Sequence, residues 1–366
     1  MIYYDKMLAV DKIVVIKRCV MKKNNPFTLT FGKQPSEYIS RYENTETIIS
    51  TFEANNPISQ AYLIEGVRGS GKTVLMTTIA NMLRQENDWI VVDLNSTQDL
   101  ISDFAFRLSD SCKKLIDIKS ASIKISLPGI GVGVDGSAPA QDYISVIDNI
   151  LSSIKRKNKR ILITIDEAMP NDNMRLFASQ FQIFIRKDYP LFLLMTGLYE
   201  NIYAIQNDPA LTFLLRTPKV NMEPLSIPQI TKQYKSIFNL ETQDANQMAI
   251  ITKGYAFAFQ ALGMLYYEYS DSLSFEEILS KLDDLLDDFV YKKIWEGLSD
   301  KDREIVKCIG PKAKSVSSIC GSLGISNTSF PRYKERLLKK GIISIVSRGT
   351  VELALPRFAE VIELYP

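Results

Sequence analysis

Gln60-Ala61-Tyr62-Leu63-Ile64-Glu65-Gly66-Val67-Arg68-Gly69-Ser70-Gly71-Lys72-Thr73 is a short apolar run that ends in a glycine-rich turn carrying a lysine and a threonine. Its first six residues read as a strand buried on both faces. Gly66 to Thr73 match GxxxxGK[ST] at every fixed position, and Val74, Leu75, Thr78, Ile79 and Met82 follow at helical spacing. At average residue usage such a match arises by chance in roughly one chain in a hundred of this length, and the strand before it and helix after it make it rarer.

Each residue type has a physical reason. Glycines let the backbone take turns that a Cβ would obstruct and aim successive N–H groups inward at phosphate oxygens, while the helix that follows adds its positive end. Lys72 supplies a mobile charge for β- and γ-phosphates, and the Thr73 hydroxyl is small enough to ligate Mg²⁺. Gly66, Val67, Arg68, Gly69, Ser70, Gly71, Lys72 and Thr73 together form the candidate ATP-binding element. A second element is Ile161-Leu162-Ile163-Thr164-Ile165-Asp166-Glu167, a buried strand ending in two acids. Carboxylates at that edge of a parallel sheet face the ligand crevice, so Asp166 is expected to hold Mg²⁺ and Glu167 to polarise the attacking water as general base.

Working outward, Trp89–Leu94, Arg160–Ile165, Leu191–Met195 and Lys219–Met222 read as four more strands separated by helical stretches. This pattern predicts a parallel sheet with helices on both faces. The expected organisation is an N-terminal extension over 1–25, an α/β domain over 26–225, a helical lid domain over 226–298 and a last module over 299–366. Within the α/β domain, Ile123 to Val134 alternate around Pro128-Gly129 and read as an inserted hairpin. In the helical region Ile278, Leu282, Leu285 and Phe289 form an apolar stripe, which assigns the nearby acids Glu276, Glu277, Asp283, Asp284, Asp287 and Asp288 to a solvated face.

Over Ser299–Pro366, three helices and a hairpin around Ser347-Arg348-Gly349-Thr350 predict a winged helix-turn-helix. This segment holds 12 Lys+Arg and 7 Asp+Glu. Its net +5 exceeds the +2 of the whole chain, leaving the rest at −3. The third helix carries Arg332, Lys334, Arg336, Lys339 and Lys340 against Glu335, a composition suited either to a major groove of double-stranded DNA, with Arg348 reaching phosphate or the minor groove, or to packing on the α/β domain or on a protein.

Composition closes off other chemistry. The 366 residues include no histidine, which excludes Ser-His-Asp and Cys-His nucleophiles and imidazole zinc sites. The four cysteines show no CxxC pair, so the expected location is a reducing cytoplasm. No run of about 18 apolar residues is present to span a bilayer.

On Gly66 to Thr73 and Ile161 to Glu167 the chain resembles the AAA+ P-loop ATPases, and more narrowly their origin-recognition-like, STAND and archaeal-type branch that ends in a winged helix. The resemblance covers roughly Asn25 to Pro366. It implies that Thr196 is the sensor of the γ-phosphate and that Arg216 falls at the place of an arginine finger, acting in cis, in trans on a self-associated neighbour, or serving only as a surface or structural arginine. Ser40-Arg41 stands where that family has Gly-Arg, and Gly254-Tyr255-Ala256-Phe257 lacks its lid arginine and GxP. The expected function is an Mg-dependent ATPase that works as a nucleotide-driven conformational switch. The alternative is a nucleotide-gated DNA-binding module with little turnover.

Overall fold

The five expected strands become five parallel strands of one sheet. In the computed structural model, which describes residues 25–30, 35–113, 115, 140–363 and 365, these are β1 (Ala61–Glu65), β2 (Trp89–Leu94), β3 (Arg160–Ile165), β4 (Leu191–Gly197) and β5 (Lys219–Asn221), in the order β2-β3-β4-β1-β5. The expected hairpin over Ile123–Val134 lies outside the described residues, as does nearly all of the N-terminal extension.

Side chains alternate between the two faces of the strands, and each set buries its own helices. Tyr62, Ile64, Leu162 and Leu194 pack under α1 (Tyr42–Glu53) and α2 (Lys72–Gln85). Leu63, Ile163, Ile165, Leu193 and Met195 face α3 (Leu100–Cys112), α4 (Ala140–Arg156) and α5 (Asp172–Arg186). Strand β4 runs two residues past the apolar stretch, which carries Thr196 into the sheet beside Ile64. After it come α6 (Tyr199–Gln206) and a 3₁₀ turn, Pro209–Arg216.

From α7 (Ile227–Phe238) onward, through α8 (Thr242–Ile251), α9 (Ala256–Tyr269), α10 (Phe275–Leu286) and α11 (Lys292–Glu296), no strand intervenes. Ser274 and Glu277 form a reciprocal capping box that starts α10. The expected stripe on that helix is corrected at its end: Phe289 is exposed, and Val290 and Tyr291 are buried instead. A π-helical turn over Asp287–Tyr291 puts an extra residue into the helix and rotates the register there. Nor is the acidic face wholly solvated, because Asp283 pairs with Arg357 and Asp287 accepts from the Tyr365 hydroxyl.

The last module runs α12 (Asp300–Ile309), β6 (Lys314–Ser315), α13 (Val316–Leu323), α14 (Phe330–Lys339), β7 (Ile343–Ser347), β8 (Thr350–Leu353) and α15 (Phe358–Ile362), with an antiparallel sheet ordered β6-β8-β7. The expected three helices and hairpin are therefore present, joined by one further short strand. One continuous apolar core runs from Phe27 and Leu225 through the helical region to Ile362. Among the described residues no helix is long and apolar enough to cross a membrane.

Candidate functional site

Gly66 leaves the carboxyl end of β1, and the turn closes on the first residue of α2. Gly69 and Gly71 sit at φ 76° and 92°, the left-handed region that costs other residues about 1–2 kcal/mol. Among the described residues, no main-chain or side-chain acceptor meets the N–H groups of Gly69, Gly71, Lys72 or Thr73. Lys72 is only 9% exposed, and its Nζ donates to the carbonyl oxygens of Gly66 and Val67, each at 3.0 Å. Burial pushes its ammonium down to about 8, against the pull of Asp166 and Glu167. An open ring of amides around a partly destabilised cation is an arrangement that a bound anion would complete.

The acids arrive from the neighbouring strands. Asp166 and Glu167 follow β3, Thr196 lies near the end of β4, and β4 stands between β3 and β1. The Thr73 hydroxyl donates to Asp166 Oδ2 at 2.9 Å, the Thr196 hydroxyl donates to Asp166 Oδ1, and the Glu167 N–H reaches Thr196 Oγ1 at 3.2 Å and Asp166 Oδ1 at 3.1 Å. These contacts hold Glu167 in a left-handed conformation, φ 50°, with its carboxylate exposed. That carboxylate stands 3.5 Å from the Arg68 guanidinium. Thr73, Asp166, Glu167 and Thr196 thus form one hydrogen-bonded constellation across three strand ends. Arg216 is not part of it: it is exposed at the end of the 3₁₀ turn, with no hydrogen bond or ion pair to the others.

Two features of the site were not readable from motifs. The first is a largely apolar pocket beside Ser70 and Gly71, walled by Tyr38, Ile39, Val74, Leu75, Ala256 and Phe259. Arg41 lines it and donates to the Ser70 carbonyl at 3.2 Å; burial lowers its pKa, and Glu223 opposes that. The second is the grip of the helical region on the loop. The Tyr255 hydroxyl donates to the Arg68 carbonyl, and the Phe257 N–H donates to the Gly69 carbonyl at 3.1 Å. Both features join segments far apart in the chain, Tyr255 and Arg68 by 187 residues, so only their residue types, not their proximity, lie in the sequence.

The basic helix α14 lies partly against its own chain. Arg336 pairs at 2.6 Å with the buried Asp302, Lys339 with Glu335 and over the Tyr199 ring, and Lys340 with Glu200 at 3.5 Å. Arg332 and Arg348 remain exposed, and Lys334 meets no acid among the described residues.

This sheet order with its helices on both faces, followed by the helical region, matches the ORC/Cdc6-like AAA+ fold. The solved structures similar to it include the Walker-type ATPase PABY2304 of Pyrococcus abyssi, at 14% identity and a TM-score of 0.64 over 92% of this chain and 99% of that one. The ORC2 protein of Aeropyrum pernix, in ADPNP–ADP complexes, matches at 14% identity and a TM-score of 0.58, over 91% of this chain and 96% of that one. Cdc6p from Pyrobaculum aerophilum matches at 12% and 0.51, over 91% and 94%. At these identities the likeness is one of fold. A family described as a domain of unknown function (DUF8462) matches residues 288–362. No characterised protein matches the chain in sequence.

Proposed function

We propose that the chain binds ATP on Gly66–Thr73 and hydrolyses it, Glu167 taking the proton of the attacking water, and that the cycle moves the helical lid over 226–298 and the module over 299–366 relative to the α/β domain over 26–225. The observation that carries this reading is the single constellation formed by Thr73, Asp166, Glu167 and Thr196 beside unpartnered loop amides. The apolar pocket between Tyr38 and Phe259 suits an adenine ring, which buries its faces against aliphatic and aromatic side chains.

Mg²⁺ fits the donor set. Thr73 and Asp166 supply one hydroxyl and one carboxylate already in contact, and Mg²⁺ takes such a sparse protein set while keeping phosphate oxygens and waters. No cluster of three or more acids or cysteines that could cage a metal occurs among the described residues. Bound there, the ion would neutralise charge on the phosphates. The chain's own contribution is orientation: loop amides and Lys72 fix the phosphates, Thr196 reads the terminal one, and Glu167 is aimed by its restrained backbone.

The second reading, a nucleotide-gated module for double-stranded DNA, is favoured by the net +5 of 299–366, its exposed cations Arg332 and Arg348 and the half-buried Lys334, which meets no acid among the described residues. Because Arg336, Lys339 and Lys340 are engaged within the chain, DNA would be held by the remaining cations or would compete for these three. Arg216, free of the constellation, is proposed to act only across a self-associated pair.

Calorimetric titration tests the nucleotide site. The Lys72 ammonium must be charged to hold a triphosphate, and its pKa of about 8 in the free protein rises on binding. Binding therefore takes up a proton above that value, and ATP affinity is expected to fall about tenfold between pH 7.5 and 9. At pH 9 the apparent enthalpy should change with buffer ionisation enthalpy, reporting about one proton. A pH-independent affinity with no proton uptake would place the triphosphate away from Lys72.

A further inference from the structure

The lid lacks the arginine by which its fold relatives were expected to touch nucleotide, yet it holds the loop by another route. Thr252, Lys253, Gly254 and Tyr255 form a tight turn at the start of α9: the Tyr255 N–H donates to the Thr252 carbonyl at 2.8 Å, and the Gly254 carbonyl accepts from the Leu225 N–H at 2.7 Å. A Cβ on Gly254 would stand 2.4 Å from the Leu225 carbonyl, so the turn is packed directly on the segment that leads from the sheet into the lid. From this rigid base the Tyr255 side chain, 6% exposed, reaches the Arg68 carbonyl. It passes over Gly69 so closely that any side chain there would collide with its hydroxyl.

Arg68 is held at its main chain by the lid, and its guanidinium lies 3.5 Å from Glu167. Both members of that pair are substantially exposed, 40% and 55% at the side chain, so the ion pair itself is weak. A contact this weak cannot lock the carboxylate, but it can bias its direction toward the loop where the phosphates would sit. The same turn also touches the last module, through Lys253 Nζ donating to the Leu353 carbonyl at 2.7 Å.

We infer that Tyr255 is a lid-borne positioning residue for hydrolysis: its hydroxyl fixes the Arg68 peptide, and the Arg68 side chain in turn aims Glu167. This rests on the ATPase reading above. Burial drives the Tyr255 phenol far above its ordinary range, so the hydroxyl stays protonated and donating at all working pH values. The relay predicts that lid and base act as one unit, so the effects of breaking it at either joint are not additive.

Steady-state ATP turnover is measured on the full chain for wild type, Tyr255→Phe, Arg68→Ala, Arg68→Lys and the combinations of Tyr255→Phe with each Arg68 variant. Tyr255→Phe is expected to lower kcat about threefold to fivefold, the most that so exposed an ion pair transmits, and to leave KM within about twofold. In the Arg68→Ala background the same change should alter kcat by less than about twofold, while in Arg68→Lys, which keeps the charge, it should still cost severalfold. Equal factors in both backgrounds would overturn the relay while leaving the ATPase reading intact, and so would an unchanged kcat in Tyr255→Phe. If Tyr255→Phe does not fold, the surface variants decide: Arg68→Ala must lower kcat and Arg68→Lys must restore most of it, and failure of either overturns the inference. A wild type that binds ATP but never turns it over would overturn this inference and the hydrolytic reading together.

Discussion

Lys72→Met is expected to abolish measurable ATP binding and, at the same time, to raise the melting temperature of the nucleotide-free protein at neutral pH. Both effects come from one placement. The ammonium is buried at the mouth of α2 with only the Gly66 and Val67 carbonyls and the partial help of Asp166 and Glu167 to replace water. Burial is the largest influence on it and brings its pKa from 10.5 to about 8. The sign follows from proton counting: between those two values the unfolded chain holds more protons than the folded one, so stability rises with pH through that window, and below about 8 the full cost is present. That cost is on the order of 3 kcal/mol. Methionine has similar length, no charge and no desolvation penalty, though it leaves two carbonyls without a donor, so the net gain should be about 1–2 kcal/mol, or a few degrees for a chain of this size. ATP loses its point charge at the β- and γ-phosphates, which weakens affinity by about a hundredfold or more. Differential scanning calorimetry at pH 7 and pH 10 checks the stability half: the advantage of the variant should shrink at pH 10, where the wild-type amine is already mostly neutral. A variant less stable than wild type at pH 7 would show that the lysine is a structural cation and not a strained one.

The same tension explains why the strands and the loop were legible while the lid contacts were not. A central strand buried on both faces is apolar over most of its length, so Leu191–Met195 declares itself in the sequence, while the edge strand Trp89–Leu94 still reads as a strand although Asp93 is exposed. The loop declares itself because glycine, lysine and threonine at fixed spacing have one shared use. Thr196 was placed only through resemblance, since a threonine ending an apolar run carries no signal of its own. Its position became physical once the pairing of β1 with β4 set it beside Ile64 and over Asp166. In the sequence Tyr255 and Arg41 stand out only as departures from the resembled pattern, a lid position without its arginine and an arginine preceded by Ser40 and not glycine. Their contacts to Arg68 and Ser70 depend on how the chain folds back, and no period or motif encodes that. Phe289 misled for a local reason: the π turn over Asp287–Tyr291 breaks the 3.6-residue period on which the stripe was read.

Glu167→Gln is expected to lower kcat by about a hundredfold or more while ATP still binds, because a positioned general base contributes on that order and glutamine keeps the shape without the proton acceptor. The structure separates the two roles. Glu167 hydrogen-bonds to the site through its main-chain N–H, to Thr196 and Asp166, and these bonds survive the substitution; only the exposed carboxylate changes. Asp166, by contrast, accepts from Thr73 and Thr196 with both side-chain oxygens, so Asp166→Asn would disturb the hydroxyl expected to meet the metal as well as the sensor, and should cost affinity too. Removing the negative charge of Glu167 also relieves repulsion against a triphosphate and frees Arg68, so ATP affinity in Glu167→Gln should be equal to or tighter than that of wild type. Single-turnover hydrolysis beside equilibrium binding distinguishes the cases. Turnover unchanged with binding unchanged would remove Glu167 as the base and leave the water to be oriented by other groups. Loss of both together would mean that the left-handed backbone at Glu167, φ 50°, does not tolerate the exchange, and that its geometry rather than its basicity is what the site requires. If DNA is a partner of residues 299–366, the variant arrested with ATP bound is also the form in which to measure it. The engagement of Lys339 and Lys340 at Tyr199 and Glu200, immediately after the strand that carries Thr196, then predicts that duplex affinity differs between the ATP-bound and nucleotide-free forms and weakens steeply with salt in both.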